Sequence, residues 1–566
     1  MDLDDQGQTG DSTSAQIFHA ELSSRDRHVL LDVDEFVTKY ELDDLRNDIR
    51  TGALLLNDSD HIESMERLPD VDFYKMLRQF PRLCTIGSSL WGIVELLSPQ
   101  PATYGDLQGV NVFPDIATSQ PLKGIYFIVG CWCAIPLLRY YGRRGAAYRA
   151  VGLKIAALLL VLCFPTLLPF TLACILSAAA SGMVSCIVPI YLAEISPIST
   201  RGSILCAWQL YQRFGRLMGD LVINAESFVI PRFSILVIVF AILSSIGFGV
   251  CFWVSPESPY WYTYNGELRQ AYNALNRFRD GNGVQASRDL YRIYSSSALD
   301  TRASSKRTTK AFLRALAITI TLLFCGTVPD ISLRLSMHFV TGFITNMLRG
   351  LPRDVSISVI VQVSAILIMA TLATNPVERV GRRRWVLMCM VLTSLALFAL
   401  LLGLAYDSLF RALYFMTPWT LFIPWCGLFL MGQLYAAEVA SALGREAVMA
   451  ATITVSALAD AFAAFFAEQT PWLTRKYSLP LFLVVHIVCM ILVCAVMIET
   501  RRCTLDEIRV ALDVPIRNRI AYRIRIYTPY IVKRHFLRRR VELESFEQSQ
   551  YGTGAIRLRD VHIDAP

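Results

Sequence analysis

The sequence predicts an all-α membrane protein with twelve spanning helices, arranged as two related bundles of six. Hydrophobic residues make up 54% of the 566 residues and charged residues only 18%, whereas soluble domains carry about 25% charged residues. The charge is also segregated, because long apolar runs alternate with short charged clusters, as is typical of membrane proteins. Three charged motifs recur at nearly the same distance along the chain, which indicates an internal duplication.

Apolar runs long enough to cross a bilayer, which takes about 20 residues, occur twelve times in the chain. They cover residues 81–98, 121–138, 147–165, 167–191, 203–224, 233–254, 312–345, 356–374, 385–405, 412–436, 447–467 and 478–498. The seventh run is long and contains Gly326 and Pro329. Because proline removes a backbone donor and kinks a helix, we expect a broken helix there. Broken helices in carriers tend to face the substrate path.

Lysines and arginines in the loops set the orientation, because cytoplasmic loops carry an excess of both. Basic clusters at 139–149, 302–310 and 379–384 and in the C-terminal tail place both termini in the cytoplasm, and we expect a multi-pass protein of the plasma membrane. The predicted domains are a cytoplasmic N-terminal tail (1–77), a six-helix bundle (78–254), a cytoplasmic helical linker (255–311), a second six-helix bundle (312–500) and a basic cytoplasmic C-terminal tail (501–566).

The net charge of +7 comes largely from the C-terminal tail. Such a segment suits an anionic cytoplasmic leaflet, or it serves only as a topology signal. We therefore expect a lipid bilayer and a small-molecule substrate as partners, no nucleic acid, and a monomeric protein. The sequence contains no nucleophile–base set, metal-binding cluster or phosphate loop, so we predict neither an enzyme nor a cofactor.

The duplication is visible in three motifs. Gly142-Arg143-Arg144 recurs as Gly381-Arg382-Arg383, at an offset of 239 residues. An Ala-Glu pair followed by Arg seven residues later occurs twice at an offset of 244, and a Glu after the sixth span recurs after the twelfth at an offset of 242. Three unrelated motifs at nearly one offset indicate two homologous six-helix halves.

All of these motifs lie at predicted cytoplasmic helix ends, where arginines of the second loop of each half can meet carboxylates at the ends of the fourth and sixth spans. Such pairs would form a cytoplasmic gate that latches the halves together. The alternative is that the arginines only anchor the topology, which leaves the matching glutamates unexplained. The candidate gate residues are Arg143, Arg144, Glu194, Arg201, Glu257, Arg382, Arg383, Glu438, Arg445 and Glu499.

These motifs resemble those of the sugar porter family of the major facilitator superfamily. The matching segments are Tyr191–Pro197 with Arg201-Gly202, Pro256–Trp261, Glu378–Arg383, and Glu499-Thr500 with Thr504–Ile508. Short segments such as Thr51–Leu54 and Ala286–Tyr291 are most similar to a filamentous-fungal branch. The resemblance implies a major facilitator fold and rocker-switch alternating access around a central site between the halves.

The chain departs from the family at the positions that the resemblance assigns to substrate and proton. The paired glutamines of the seventh helix align with Cys325 and Gly326, an aromatic residue of the tenth with Gln433, and asparagine of the eleventh with Ser456 and Ala457. The acid and arginine of proton-coupled members align with Val94, beside Glu95, and with Cys174, whereas Gln209 is retained. Unpaired buried polar groups cost about 1–3 kcal/mol each. These losses therefore indicate a changed substrate or a chain that no longer transports.

Ionisable residues within the predicted spans are candidates for a new substrate path, because such residues are costly in a bilayer. Gln209, Arg213, Arg216 and Asp220 share one helix face. Neutralisation within the helix, Arg216 with Asp220 and Asp330 with Arg334, is the alternative. The candidate substrate-binding residues are Gln209, Arg213, Asp330, Arg334, Gln433, Asp460 and Glu95.

The leading hypothesis is transport of a sugar or a related polyhydroxylated small molecule, by facilitated diffusion or an altered proton coupling. A carrier of a fungal secondary metabolite or organic acid is an alternative. A transporter-like sensor that binds without moving its ligand is a third, although tails of about 75 and 68 residues are ordinary for the branch that the chain resembles.

Overall fold

The computed structural model describes residues 80–96, 120–164, 166–229, 233–279, 282–302, 376–405, 428, 431–439, 445–469 and 479–501, together with separate positions in 34–50, at 313 and in 503–531. The predicted seventh and eighth spans and most of the tenth lie outside these residues, apart from Leu313 at the start of the seventh. Within the described part, every regular element is helical.

The helices near or within the predicted spans begin and end close to the predicted limits. They are α1 Phe80–Leu96, α2 Gln120–Cys163, α3 Leu167–Ile195, α4 Arg201–Val229, α5 Phe233–Val254, α10 Arg382–Ala405, α11 Arg445–Gln469 and α12 Leu479–Val496. The linker contains α6 Pro259–Tyr264, α7 Leu268–Phe278 and α8 Gly283–Arg302, α9 Pro376–Val380 precedes α10, and α13 Ile516–Tyr522 and α14 Thr528–Ile531 lie in the C-terminal tail.

The second and third predicted spans are joined in α2, which is interrupted at one residue. Gly142 has φ 75° and ψ −178° in the middle of this 44-residue helix. Only glycine adopts such a backbone readily, so the chain turns there without a long loop. The turn carries Arg143 and Arg144, the first arginine motif.

Three described helical segments are long and apolar enough to cross a membrane: Lys123–Cys163, Leu168–Ile195 and Val237–Val254. Leu483–Val496 is apolar but shorter. The first of these segments contains Gly142 and therefore corresponds to two of the predicted spans.

Glycines allow the helices of the first half to pack with their backbones almost in contact. A Cβ on Gly130 would lie 2.0 Å from Ala179 O, and one on Gly182 would lie 2.0 Å from Phe127 O, so α2 and α3 approach each other reciprocally. Helices α1 and α4 meet in the same way, since a Cβ on Gly215 would lie 1.8 Å from Ser89 O. Such small-residue contacts are the usual means of tight helix packing in membranes.

The chain divides into two compact units, one combining residues 1–70 with 258–302 and the other containing 71–257 with 303–566. In the first unit, four apolar side chains of the N-terminal tail share a buried core with α7 and α8. Its buried members are Phe36, Val37, Leu42, Ile49, Leu268, Ala271, Tyr272, Leu275, Ala286, Leu290 and Ile293. The tail and the linker, which the sequence suggested as separate segments, therefore pack together where they are described.

A buried carboxylate organises the linker part of that unit. Asp289 accepts hydrogen bonds from Arg279 at 2.8 Å and Arg288 at 3.1 Å, and Arg292 lies 3.6 Å away. Burial alone would raise the pKa of Asp289, but the three arginines outweigh it and hold that pKa well below its ordinary value. The carboxylate therefore contributes to the stability of this unit at neutral pH.

Candidate functional site

The first arginine motif is held by two glutamates of its own half. Arg143, at the turn in α2, donates from Nε and Nη2 to the Glu194 carboxylate at the end of α3, both at 2.9 Å. Glu257, just after α5, accepts the backbone N–H groups of Arg143 at 2.8 Å and Arg144 at 2.9 Å. Both carboxylates are therefore committed to the α2 turn.

The second half repeats this arrangement. Arg382 donates to Glu438 at 3.1 Å, and Glu499 accepts the backbone N–H groups of Arg382 at 2.8 Å and Arg383 at 3.1 Å. Thr500 adds a 2.6 Å hydrogen bond to Glu438. Motifs 239 to 244 residues apart in the sequence thus build equivalent contacts.

Glycine is required at the turn of each motif for two reasons. Gly142 and Gly381 have φ values of 75° and 94°, which side chains of L-residues rarely permit. In addition, a Cβ would lie 2.6 Å from Oε2 of Glu257 at the first position and 2.7 Å from Oε2 of Glu499 at the second. Each glycine therefore leaves room for the carboxylate that binds the two amides.

Charged contacts also cross between the halves. Arg445, at the start of α11, donates to Glu194 Oε1 at 2.8 Å, and Arg143 lies 3.2 Å from Glu446 Oε1. All four residues are nearly inaccessible to solvent, with exposures of 1–5%. Arg201 adds a hydrogen bond to the carbonyl of Cys503 at 3.2 Å. Burial without a partner would be costly for each of these charges, so each buried charge depends on its partners in this arrangement of the halves.

The second arginine of each motif binds a glutamate through its backbone amide. The Arg144 side chain donates from Nε to the Tyr148 hydroxyl at 2.7 Å, and the Arg383 side chain donates to the Cys494 carbonyl at 3.2 Å. Their amides, in contrast, bind the glutamates after α5 and α12. The sequence predicted arginine–carboxylate pairs here and gave no information about these backbone contacts.

Two carboxylates of the cluster were missed by the sequence reasoning. Glu446 follows Arg445 directly in the sequence, and that adjacency to a motif residue was the available signal. Glu378 lies four residues before Arg382 and is bonded to it at 2.7 Å, and its Oε1 also accepts the backbone N–H of Ser203 at 3.2 Å. The i,i+4 spacing is typical of helical ion pairs.

The candidate substrate residues are only partly described. Gln209 is buried and Arg213 is partly exposed, one turn further along α4, and Gln433 is partly buried. Glu95 lies in α1 and Asp460 in α11, but their side chains lie outside the described part, as do Asp330 and Arg334 entirely. The described residues therefore bring together Gln209 and Arg213 on one helix and test none of the other predicted proximities.

A buried lysine within an apolar helix was also missed. Lys154 of α2 is 0% exposed, and its Nζ donates to Ser177 Oγ at 2.6 Å and lies 3.3 Å from Ser181 Oγ. The ammonium also lies 5.7 Å from the centre of the Trp91 ring, within the range of a cation–π contact. Charges at such depth usually mark a functional path. The sequence feature that could have indicated this site is the single lysine within the third predicted span.

Among the residues with described positions, no group of three His, Cys, Asp or Glu side chains is placed to hold a metal ion.

A family model and several known proteins match parts of the chain. Residues 125–512 match the family model described as "Sugar (and other) transporter". Sugar transporter ERD6-like 1 of Arabidopsis thaliana is 27% identical over 236 residues, 40% of this chain and 46% of that protein. Proton myo-inositol cotransporter hmit-1.1 of Caenorhabditis elegans is 33% identical over 110 residues, 19% of this chain and 18% of that protein. The matched segments thus span less than half of these relatives.

Among solved structures, the chain is similar to the proton:xylose symporter XylE bound to 6-bromo-6-deoxy-D-glucose. The TM-score is 0.61 at 18% identity, and the match covers 78% of this chain and 99% of that chain. At this identity the likeness shows a shared fold.

Proposed function

The chain belongs to the Sugar (and other) transporter family and has the major facilitator fold, and from this premise we propose that it moves a sugar or a related polyhydroxylated small molecule by alternating access. The observation that carries the mechanism is the 2.8 Å pair between Arg445 of the second half and Glu194 of the first. A contact of this kind must break when the cytoplasmic side opens.

Alternating access needs two states of similar free energy. In the closed arrangement, Arg143, Glu194, Arg445 and Glu446 are buried together, so their mutual bonds offset the loss of hydration. In a cytoplasm-open state, water would hydrate the same groups. The same charged groups are therefore stabilised by their mutual bonds in the closed state and by water in the open state. A reversible gate needs such compensation, because it keeps the two states similar in free energy.

A hydroxylated substrate is supported by the relatives, whose printed names refer to sugar, myo-inositol and xylose. Gln209 on α4 supplies an amide, which both donates and accepts hydrogen bonds as sugar hydroxyls require. We assign Gln209 and Arg213 as substrate-binding residues, with Asp330, Arg334, Gln433, Asp460 and Glu95 as further candidates. Val94 and Cys174 stand where the family resemblance predicts the proton-coupling pair, so we propose facilitated diffusion or an altered proton coupling.

We further place the protein in the filamentous-fungal branch of the sugar porters, as a monomer in the plasma membrane with both termini in the cytoplasm. The basic C-terminal tail, which contains Arg538, Arg539 and Arg540, supports the orientation because basic segments remain on the cytoplasmic side.

A hydroxylated organic acid is the second candidate substrate. The buried Lys154 ammonium and the Arg213 guanidinium both lie on helices of the first half, where they would favour a negatively charged ligand. Neutral sugars gain less from such charges, so the two candidates differ in the expected effect of removing them.

The direct test is uptake of radiolabelled hexoses, pentoses, polyols and quinate-like acids by proteoliposomes containing the purified chain, with and without a protonophore. We expect saturable uptake of at least one hydroxylated compound, reduced at least about tenfold in Arg213→Gln, since a charged hydrogen bond contributes about 1.5–3 kcal/mol. Arg149→Gln is the matched control, because Arg149 is exposed and bonds to Gly145 of its own helix. Absence of uptake for every compound would reject transport of this class.

A further inference from the structure

The duplicated halves differ at two positions of the cytoplasmic cluster. Glu446 in the second half corresponds to Gly202 in the first at the offset of 244, and Glu378 in the second half corresponds to Arg139 in the first at the offset of 239. Both carboxylates thus come from the same half. The charge of the cluster is therefore not distributed as the duplication alone would predict.

This difference gives the two motif arginines unlike partners. Arg143 is paired with Glu194 of its own half at 2.9 Å and with Glu446 of the opposite half at 3.2 Å. Arg382 is paired with Glu438 at 3.1 Å and with Glu378 at 2.7 Å, both from its own half. Each arginine has two carboxylate partners, but only Arg143 takes one of them from across the interface.

Close packing prevents a carboxylate at position 202 from pairing with Arg382 in the way that Glu446 pairs with Arg143. A Cβ on Gly202 would lie 2.5 Å from Nη2 of Arg382 and 2.6 Å from Oε1 of Glu378. The Glu378 carboxylate therefore occupies the place beside Arg382 that a longer side chain at position 202 would need. Glu378 contacts the first half through the backbone N–H of Ser203 at 3.2 Å, and the amide oxygen of a glutamine at this position can still accept that hydrogen bond.

From this asymmetry we propose that Glu446 is the positioning residue of the cytoplasmic gate. Its carboxylate supplies an ion pair between the halves, and this pair can break when the halves separate. Arg143 with Glu194 and Arg445 with Glu446 are each one cation and one anion on one half. When the halves part, the four side chains of these two crossing ion pairs separate into one cation and one anion on each half. The Glu446 carboxylate stabilises the closed gate through Arg143.

A native cysteine beneath the cluster can report gate opening without any substrate. Cys186 of α3 is buried, and its Sγ lies 3.8 Å from the backbone O of Glu446 on α11. Parting the halves would therefore expose it. Cys131, also buried, donates to the carbonyl of Gly182 at 3.2 Å within the first half, so only a loosening of that half would expose it. Cys133 is exposed within a helix long and apolar enough to cross a membrane, so its rate is a reference for reagent that reaches the lipid- or detergent-covered surface.

The experiment measures the alkylation rates of these three cysteines by N-ethylmaleimide in the purified full chain, quantified by peptide mass spectrometry. Glu446→Gln should raise the rate at Cys186 about tenfold relative to wild type, which corresponds to loss of one charged hydrogen bond. The matched control Glu378→Gln, which removes a carboxylate bonded mainly within its own half, should stay within about twofold. Cys131 and Cys133 should not change in either variant.

Equal Cys186 rates in Glu446→Gln and wild type, or equal increases in Glu446→Gln and Glu378→Gln, would overturn the proposal, as would a parallel increase at Cys131. If Glu446→Gln does not give monodisperse protein, Glu446→Asp takes its place, because the shorter side chain lengthens the 3.2 Å contact and should give a smaller increase confined to Cys186. The inference rests on alternating access, but the assay needs no substrate. A response at Cys186 without uptake would retain the gate and reject the substrate class, and the opposite result would reject only the role of Glu446.

Discussion

Replacing Arg445 by Gln should open the cytoplasmic side without unfolding the protein. The Arg445 guanidinium donates a charged hydrogen bond across the halves to Glu194 at 2.8 Å, whereas Glu194 keeps its two bonds to Arg143 within the first half. Such a buried bond contributes about 1.5–3 kcal/mol. At 1.36 kcal/mol per factor of ten, the ratio of open to closed molecules should increase about 10- to 160-fold.

Hydrogen–deuterium exchange measures this ratio, because amides protected only in the closed state exchange in proportion to the open population. Peptides covering the end of α3 and the start of α11 should exchange faster in Arg445→Gln, and peptides from the middle of α5 should not. Arg149→Gln removes an exposed charge seven residues after the α2 turn and should match wild type. Unchanged exchange at both cluster helices in Arg445→Gln would show that this pair does not hold the halves together.

Three further predictions concern single residues. Gly142→Ala should destabilise the chain by about 2 kcal/mol or more, because the added Cβ both strains the backbone and displaces Glu257. Gly152→Ala is the control and should not destabilise the chain, because there is open space around Gly152. Thermal unfolding in detergent compares the two variants. Lys154→Met should leave the unfolding temperature equal or higher, since a buried cation contributes little net stability, but should lower uptake at least about tenfold, and unchanged uptake would assign Lys154 a packing role. Asp289→Asn should make the linker sensitive to thermolysin at pH 7. The stability of the wild-type linker should decrease as the pH falls below about 4, because the pKa of Asp289 is held low in the folded state. Equal cleavage of wild type and Asp289→Asn at pH 7 would contradict this prediction.

The contacts of the cytoplasmic cluster within each half were predictable because they are encoded by repetition. The Gly-Arg-Arg motifs and the glutamates that serve them occur twice in the same order, and a repeated charge pattern at helix ends has few physical explanations other than pairing. The Glu446 contact was not predictable in this way. An acidic residue in the first turn of a helix is expected from the helix dipole alone, and its partner Arg143 lies 303 residues away in the chain.

The contacts of Lys154 and of the tail core were not predicted for a different reason. The residues that they contact show no recognisable sequence pattern. A single lysine in an apolar run does not change the prediction of a span, and Ser177 and Ser181 on α3 are ordinary small residues of a packed helix. In the tail, apolar side chains such as Phe36 are sparse within a polar segment, and their burial depends on a surface formed by the linker. Periodicity within one segment cannot show such contacts.

The packing of the first half explains why the energy of opening should concentrate at the cytoplasmic cluster. Backbones in near contact at Gly130 and Gly215 leave the helices of that half little freedom to slide, because any shift would bring main-chain atoms together. The half should then move as a body, and the free energy of the movement is set by bonds that cross the interface. Neutral bonds that cross the interface include Trp132 to Thr454 at 3.1 Å and Cys186 to the Glu446 carbonyl at 3.8 Å, and such bonds contribute about 0.5–1.5 kcal/mol, whereas a charged bond contributes about twice that. Ion pairs cross at Glu194 and Glu446, and Glu378 accepts a charged hydrogen bond from Ser203. In the proposed alternating-access cycle, the balance between the two states therefore depends more on these charged contacts than on the neutral ones.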